Sequence, residues 1–434
     1  MSKPHRGFRH SDGPRRRRML PALVAVLVAA TLGSGCAKQV GGGAVKSSST
    51  PSPAAAPAVN LALLDPGNYP RKPRPPLGTV PDEATGRRVE AQRMADNVVG
   101  PWQVDPALIS PTNSEIAPTT AFADPAKLSA LVRGDSIAAI SATHHFLAGF
   151  VSGRATTPPP SGQPSTNDKP KILDNAVLRF PSPQEAGDAA AAMAAADAAT
   201  VRPGNVWATR LPVPRHSDTK AYVAALSGGF EASSFTARGP YVLFQFAGTK
   251  DSAAATADLF AATLDLQVPL VDHFQPTPAD QLASLPADPT GLLARTVPAT
   301  EPNVNQAAVY PPHASLHFRS NPVATQEVYD DAGITHVAAD RTSVFEAVDP
   351  TGAQRAAAGL ARIDVPFLNY RPAPGINGLP SARCYDRGPD TTTLGEVRFL
   401  CIASADHYAF RATAAQEADA HQLVAAQYLM LTAP

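Results

Sequence analysis

The sequence predicts an α+β protein of two similar halves, each a mixed or antiparallel sheet covered by helices, set behind an apolar leader and a flexible tether. Three observations predict it. Apolar residues make up 44% and charged residues 17% of the 434 positions, enough to bury cores and unlike a disordered chain. The 45 prolines cluster between periodic segments, as punctuation between packed units. Helix and strand signals run twice along the chain in matching order, and the length suits two or three ordinary domains.

The leader comes first. Lys3, Arg6, Arg9 and the run Arg15–Arg18 form a basic region that stays on the cytoplasmic side. Leu20 to Leu32 is apolar, the length of a signal-peptide core and shorter than the roughly 20 residues of a spanning helix. Gly33-Ser34-Gly35-Cys36 follows, small residues that let an extended chain lie in a peptidase cleft, before a cysteine whose thiol can take lipid. This resembles the lipobox of bacterial lipoproteins, with Gly33 where that motif prefers an aliphatic residue. The expectation is cleavage after Gly35 and acylation of Cys36, anchoring the chain to the extracytoplasmic face of the cell membrane. The alternatives are an ordinary leader with an unrelated cysteine, or an uncleaved anchor. The export route stays open. Residues 36–60, rich in Gly, Ser, Pro and Ala, read as a flexible tether.

Next is an N-terminal α+β domain, 61–274. A Pro-rich extended stretch leads to a helix near 84–98, and Asp124-Pro125 opens another that runs to Gly134. The apolar run 137–151 reads as strand, 155–170 as an exposed loop and 176–180 as strand. Ser182-Pro183-Gln184-Glu185 is a capping box at the start of an Ala-rich helix. Strands at 222–226 and 240–247 precede a helix from 252 to 266. A Pro-rich connector, 275–312, includes the plausible short helix DPTGLLAR and so packs more readily than it dangles. The C-terminal α+β domain, 313–434, repeats the series. Asn321-Pro322 opens a helix ending at Gly333, strands lie in ITHVAAD and SVFEAV, and Asp349-Pro350 caps an Ala-rich helix. Strands VRFLCIAS and HYAFRA then lead to a helix from about 413 to 431. Hairpins interrupted by helices suggest sheets covered on one face.

Cys384 and Cys401 are the cysteines left once Cys36 is acylated, and in an oxidising exterior an even pair is the expected framework of one disulfide. The chain-entropy argument credits so short a loop with about 3 kcal/mol. Two free thiols or half of a metal site is the rival reading, for which no His or second CxxC supplies zinc-like spacing nearby. Residues 1–35 hold seven of the 37 Lys and Arg and one of the 37 Asp and Glu, so the remainder carries 30 basic and 36 acidic groups, net −6. Neither nucleic acid nor an anionic lipid surface is the partner such a balance favours.

LLDPGNYP at 63–70, LARTVP at 293–298, LHFRSNP at 316–322 and LPSARCY…FLCIAS…AAQYLML towards the end resemble a family of actinobacterial lipoproteins of unknown function. The halves of that family are classed as N- and C-terminal domains of unknown function. The likeness implies the address and the two-domain layout but no activity. More loosely, the final pattern is similar to extracellular sensor domains of actinobacterial receptor kinases, which also carry a disulfide there.

Enzyme signatures stop short. Gly134-Asp135-Ser136-Ile137 is similar to the start of one lipase family, yet the Asp-x-x-His element that would supply base and orienting acid is missing, as is a Gly-x-Ser-x-Gly elbow. His144 and His145, adjacent on an expected strand, would face opposite ways and could not share an ion. His313 and His317 have helical metal spacing, but SLHF reads as strand and would separate them. His407 beside Asp406 falls in a turn. Asp and Glu are scattered, no Gly-rich phosphate loop exists, and aromatic residues are few at 6%. No catalytic residue, metal site or cofactor is assigned. The favoured function is a non-catalytic surface module binding an envelope protein, a glycolipid or another cell-wall ligand, with a cleft between its halves. An envelope hydrolase whose residues converge only in three dimensions is the alternative, and a purely structural envelope protein a third.

Overall fold

The computed structural model describes residues 58–111, 119–131, 135–156, 170–299, 307–388 and 397–433. The leader, the cleavage point at Gly35, the acylation residue Cys36, the tether up to 57 and Gly134 lie outside the described residues. The first half runs α1 (Glu83–Met94), α2 (Pro101–Val104), β1 (Leu108–Pro111), β2 (Thr120–Phe122), α3 (Leu128–Leu131), α4 (Asp135–Thr143), β3 (Ala148–Thr156), β4 (Ile172–Arg179) and α5 (Pro183–Ala199). Short strands β5 (Val201–Arg202), β6 (Val206–Trp207) and β7 (Thr209–Arg210) precede β8 (Lys220–Leu226), β9 (Gly229–Arg238), β10 (Tyr241–Thr249) and α6 (Ala253–His273). The second half has β11 (Ala308–Tyr310), α7 (Pro312–Leu316), α8 (Pro322–Ala332), β12 (Ile334–Ala339), β13 (Thr342–Ala347) and α9 (Pro350–Phe367). It ends with β14 (Arg371–Ala373), β15 (Arg383–Asp386), β16 (Phe399–Ala405), β17 (Tyr408–Ala414) and α10 (Glu417–Thr432).

Helix starts follow their capping residues. Ser182 accepts a hydrogen bond from the Glu185 amide, Asn321 from Ala324 and Asp349 from Gly352, each before a proline in the first turn. Gly333 ends α8 in the left-handed region, at φ 65°.

The strand orders of the two sheets coincide. The first runs β1-β3-β4-β10-β9-β8-β7, with β2 also on β3, and the second runs β11-β12-β13-β17-β16-β15-β14. All these pairings are antiparallel. In both halves a helix precedes the first central strand, another follows the second, and a third closes the sheet. The α+β class with two related sheets is therefore the observed architecture.

Helices cover both faces of each sheet, where one face was expected. Val151, Ala176, Leu178, Val242 and Phe244 pack towards α5, while Phe150, Leu173, Val177 and Leu243 pack towards α1 and α6. In the second sheet Val344, Cys401, Ala403 and Phe410 face α10, while Phe345, Leu400, Ile402 and Ala409 face α8 and α9. Strands buried on both sides lose the polar alternation that would have announced this.

Two further expectations change, and the connector packs. Residues 137–143 are helix, and strand begins only at Ala148. Ile137, Ala138 and Ser141 are buried along one helical face, and a short apolar run does not distinguish the two structures by periodicity alone. SLHF is the end of α7, with His317 at its C-cap, because Pro312 occupies the first helical position. The connector packs: Leu282 and Leu285 cluster with Val80, Leu292 and Val297 join the second core, and 308–310 is that sheet's edge strand.

Matching glutamines close the two halves. Gln267 of α6 accepts from the Val99 amide at 2.9 Å, donates to the Asn97 carbonyl at 2.7 Å and accepts from Asn175 at 2.7 Å. Gln427 of α10 accepts from the Val297 amide at 3.0 Å, donates to the Arg295 carbonyl at 2.8 Å and accepts from the Thr342 hydroxyl. Each side chain thus brackets an extended segment as a neighbouring strand would. Residues from 56 onward form one compact unit. A strap over 58–74 runs along the second half, with Asn60 N–H donating to Gly378 O at 2.8 Å, Tyr69 Oη to Asp419 at 2.5 Å and Arg74 to Leu293 O at 2.6 Å.

Candidate functional site: a groove beside the last sheet

The expected cleft between the halves is filled. His317 is fully buried, its Nδ1 2.8 Å from Ser152 Oγ and its Nε2 3.0 Å from the Ala95 carbonyl. Ala95 O can only accept, so Nε2 carries the proton and Nδ1 accepts from the serine. Burial, with His313 and Arg154 adding to it, holds this imidazole well below the usual histidine range. Arg154 donates to the Ile109 and His317 carbonyls at 3.0 and 2.5 Å and lies 5.7 Å from the centre of the Trp102 ring. Its guanidinium is pulled down to about 10 by burial, helped by Arg319, and stays charged at neutral pH. This junction is a packed polar node, and the two histidines of α7 serve in it as hydrogen-bonding groups. His313 sits 3.1 Å from both Asp96 O and Gln103 Oε1.

A groove opens instead in the second half. In the first half α5 lies across β8, β9 and β10. In the second, α9 lies across β13, β16 and β17, one strand over. Small residues draw it there: a Cβ on Gly359 would sit 2.7 Å from Val328 of α8, and one on Gly352 would sit 2.2 Å from the Ala332 carbonyl. The face of β15 beside α9 is left uncovered, and a hollow of about 1010 Å³ occupies the space. Ala357, Ala361 and Val365 of α9 form one wall, with Tyr385 of β15 and Ile402 of β16 below. Arg362 and Arg383 stand on the rim, both exposed. Arg383 donates to Pro380 O and Ala382 O at 2.7 and 2.9 Å, and Arg362 has no carboxylate partner among the described residues. Val59, Ser404, Asp406 and Tyr428 close one end. A smaller hollow of about 520 Å³ near α1 is lined by charges, among them Arg87 and Glu83, which pair at 2.6 Å.

Of the residues singled out in the sequence, Ser136 is exposed at the start of α4, and His144, just past the other end of that helix, points its Nδ1 at Glu185, 2.8 Å away. His145 is exposed, in the turn after α4 at φ 57°, so the two histidines are not on a strand at all. Asp406 and His407 do form the β16–β17 turn, with Asp406 at φ 49°. Cys384 and Cys401 are directly opposite one another on β15 and β16 and are joined as a disulfide, with Cα atoms 4.1 Å apart.

Two things were missed. The groove depends on where one helix packs, which no local pattern announces. His421 of α10 comes against the disulfide, its ligand-capable atoms and those of the two cysteines lying within 4.8 Å of one another. Chain distance hid it, and the Glu417/His421 pair at i,i+4 was the one available signal.

Residues 77–287 match a family described as domain of unknown function (DUF7373) N-terminal, and residues 292–433 match domain of unknown function (DUF7373) C-terminal. No curated protein matches the chain. Among solved structures, the extracellular domain of PknH from Mycobacterium tuberculosis is similar at 12% identity, covering 41% of this chain and 94% of that one with a TM-score of 0.26.

Proposed function

Because the chain belongs to the DUF7373 family, whose N- and C-terminal domains it carries in order, we propose a role from its own geometry: a lipid-anchored, non-catalytic binding module of the cell envelope. Its ligand is an amphipathic anion seated between α9 and strands β15 and β16. The groove is the observation that carries this reading. Its volume, about 1010 Å³, is at the upper end of small-molecule sites, which combine apolar walls with a few polar groups. The alanine and valine stripe of α9, with Tyr385 and Ile402, takes an alkyl or ring portion. Arg362 and Arg383 take the anionic head, where a guanidinium fork matches carboxylate or phosphate oxygens.

The tether argues for a ligand drawn from the envelope. Val59 lines the end of the groove and stands 23 positions after Cys36. A flexible chain of that length spans roughly 25–30 Å, so acylation at Cys36 would hold the groove within a few nanometres of the membrane.

The test uses dodecyl phosphate below its micelle concentration, with dodecyl glucoside and butyl phosphate as controls, titrated calorimetrically into the purified chain. Saturable binding of the first, at least tenfold weaker to Arg362→Glu/Arg383→Glu and weaker for both controls, is expected. Binding of equal strength to the double variant would overturn the site, and no binding by any of the three would overturn the ligand class. The anchor is checked separately: Cys36→Ser should leave the membrane fraction, and unchanged fractionation would remove it from the proposal.

A further inference from the structure

The face of the second sheet opposite the groove brings together three side chains with the chemistry of a soft-metal site. Cys384 and Cys401 are register partners on adjacent antiparallel strands, so their side chains leave the sheet on the same face, towards α10. His421 of α10 comes down on them, all three ligand-capable atoms lying within 4.8 Å of one another. Its Nε2 is buried and makes no hydrogen bond. An orphaned polar atom of this kind ordinarily costs about 1–3 kcal/mol and calls for a partner. Glu417, one turn earlier on α10, has a carboxylate oxygen 4.0 Å from that nitrogen.

We propose that in its dithiol state the chain holds a thiophilic divalent cation, zinc by preference, between Cys384, Cys401 and His421, with Glu417 or a water as fourth ligand. Two thiolates, an imidazole and an oxygen are a tetrahedral donor set that suits zinc. With Zn–S bonds of about 2.3 Å, the sulfurs of such a site stand about 3.8 Å apart, a separation that rotation about the two Cα–Cβ bonds supplies once the sulfurs are no longer bonded. Reduction by a dithiol passes two electrons and two protons to the sulfurs and leaves the reductant as a disulfide. Zinc then displaces the two thiol protons. The His421 side chain, 25% exposed, forms the way in from solvent. The disulfide joins β15 to β16, the metal would join both to α10 as well, and the redox state selects between them.

The test uses the full chain carrying Cys36→Ser, which leaves Cys384 and Cys401 as its only thiols. After phosphine reduction it is titrated with Zn²⁺ against a chromophoric chelator, and with Co²⁺ as a spectroscopic probe. One metal per reduced chain is expected, with thiolate-to-cobalt charge transfer and the visible bands of a tetrahedral site, and none for the oxidised chain. His421→Ala should weaken zinc at least tenfold. Failure of the reduced chain to take up metal, or equal affinity in His421→Ala, would overturn the proposal. Should reduction alone unfold the chain, zinc is expected to restore its far-UV circular dichroism in the parent and not in His421→Ala. A reduced chain left unfolded by zinc would count against the site in the same way.

Discussion

Replacing Gln427 by Leu tests whether the bracketing glutamines hold the two halves shut. The substitution nearly conserves volume but removes an acceptor for the Val297 amide and a donor to the Arg295 carbonyl. The Thr342 hydroxyl can rotate towards another acceptor, whereas the two backbone groups have no such freedom. Each buried backbone group left unpaired costs about 1–3 kcal/mol, together about 2–6 kcal/mol. The leucine returns about 1–2 kcal/mol through apolar burial, leaving a loss between about 0 and 5 kcal/mol, centred near about 2.5 kcal/mol. Urea unfolding reads it, followed by far-UV circular dichroism and by the fluorescence of buried Trp102 in a Trp207→Phe background, which removes the chain's one other tryptophan. Gln267→Leu should lose a similar amount, and because the two brackets share no partner the losses should add in the double variant. A variant at either glutamine that is more stable than the parent would refute the bracketing argument. Two separate unfolding transitions would refute the description of residues from 56 onward as one body.

Glu90 is fully buried and pairs with buried Arg179 at 2.5 Å while accepting from the Thr277 amide and hydroxyl. Glu90→Ala strands a buried guanidinium, and a loss of about 3–5 kcal/mol in urea unfolding is expected; a variant as stable as the parent would contradict that. Burial holds the Asp174 carboxyl well above the usual carboxylate range. The folded chain therefore keeps a proton there that the unfolded chain releases near pH 4, so stability falls as pH rises from about 4 to the raised value and stays lower beyond it. Asp174→Asn should melt at a higher temperature than the parent at pH 7, with the gap closing below about pH 4; a lower melting temperature at pH 7 would show that the carboxylate is compensated.

Much of this architecture was legible because its signals are local. Ser182, Asn321 and Asp349 announce their helices by satisfying amides within a few residues, and Gly333 ends one for reasons of backbone sterics. The strand β9 escaped notice because Ser233, Ser234 and Thr236 read as polar, although the fold buries all three. The residues of the groove and of the Cys384–Cys401–His421 cluster were visible individually, but their meeting was not. Gly359 permits α9 to approach α8 at a distance decided by Val328, 31 positions earlier, and only that approach exposes β15. His421 acquires chemistry from Cys401 and Cys384, which stand 20 and 37 positions before it.

The stretch at 58–74 also dictates when the molecule can be finished. Tyr69 meets Asp419 across 350 positions of chain, so its docking site is absent until residues as far as Asp419 have left the ribosome. Contacts of such separation are slow to find, and this one must wait for both of its ends. Until that contact forms, the side of α10 that carries Asp419 lacks its cover from Tyr69. A protease that cuts between Tyr69 and Arg74 during that interval would detach Tyr69 and leave Asp419 with Arg341 as its remaining partner.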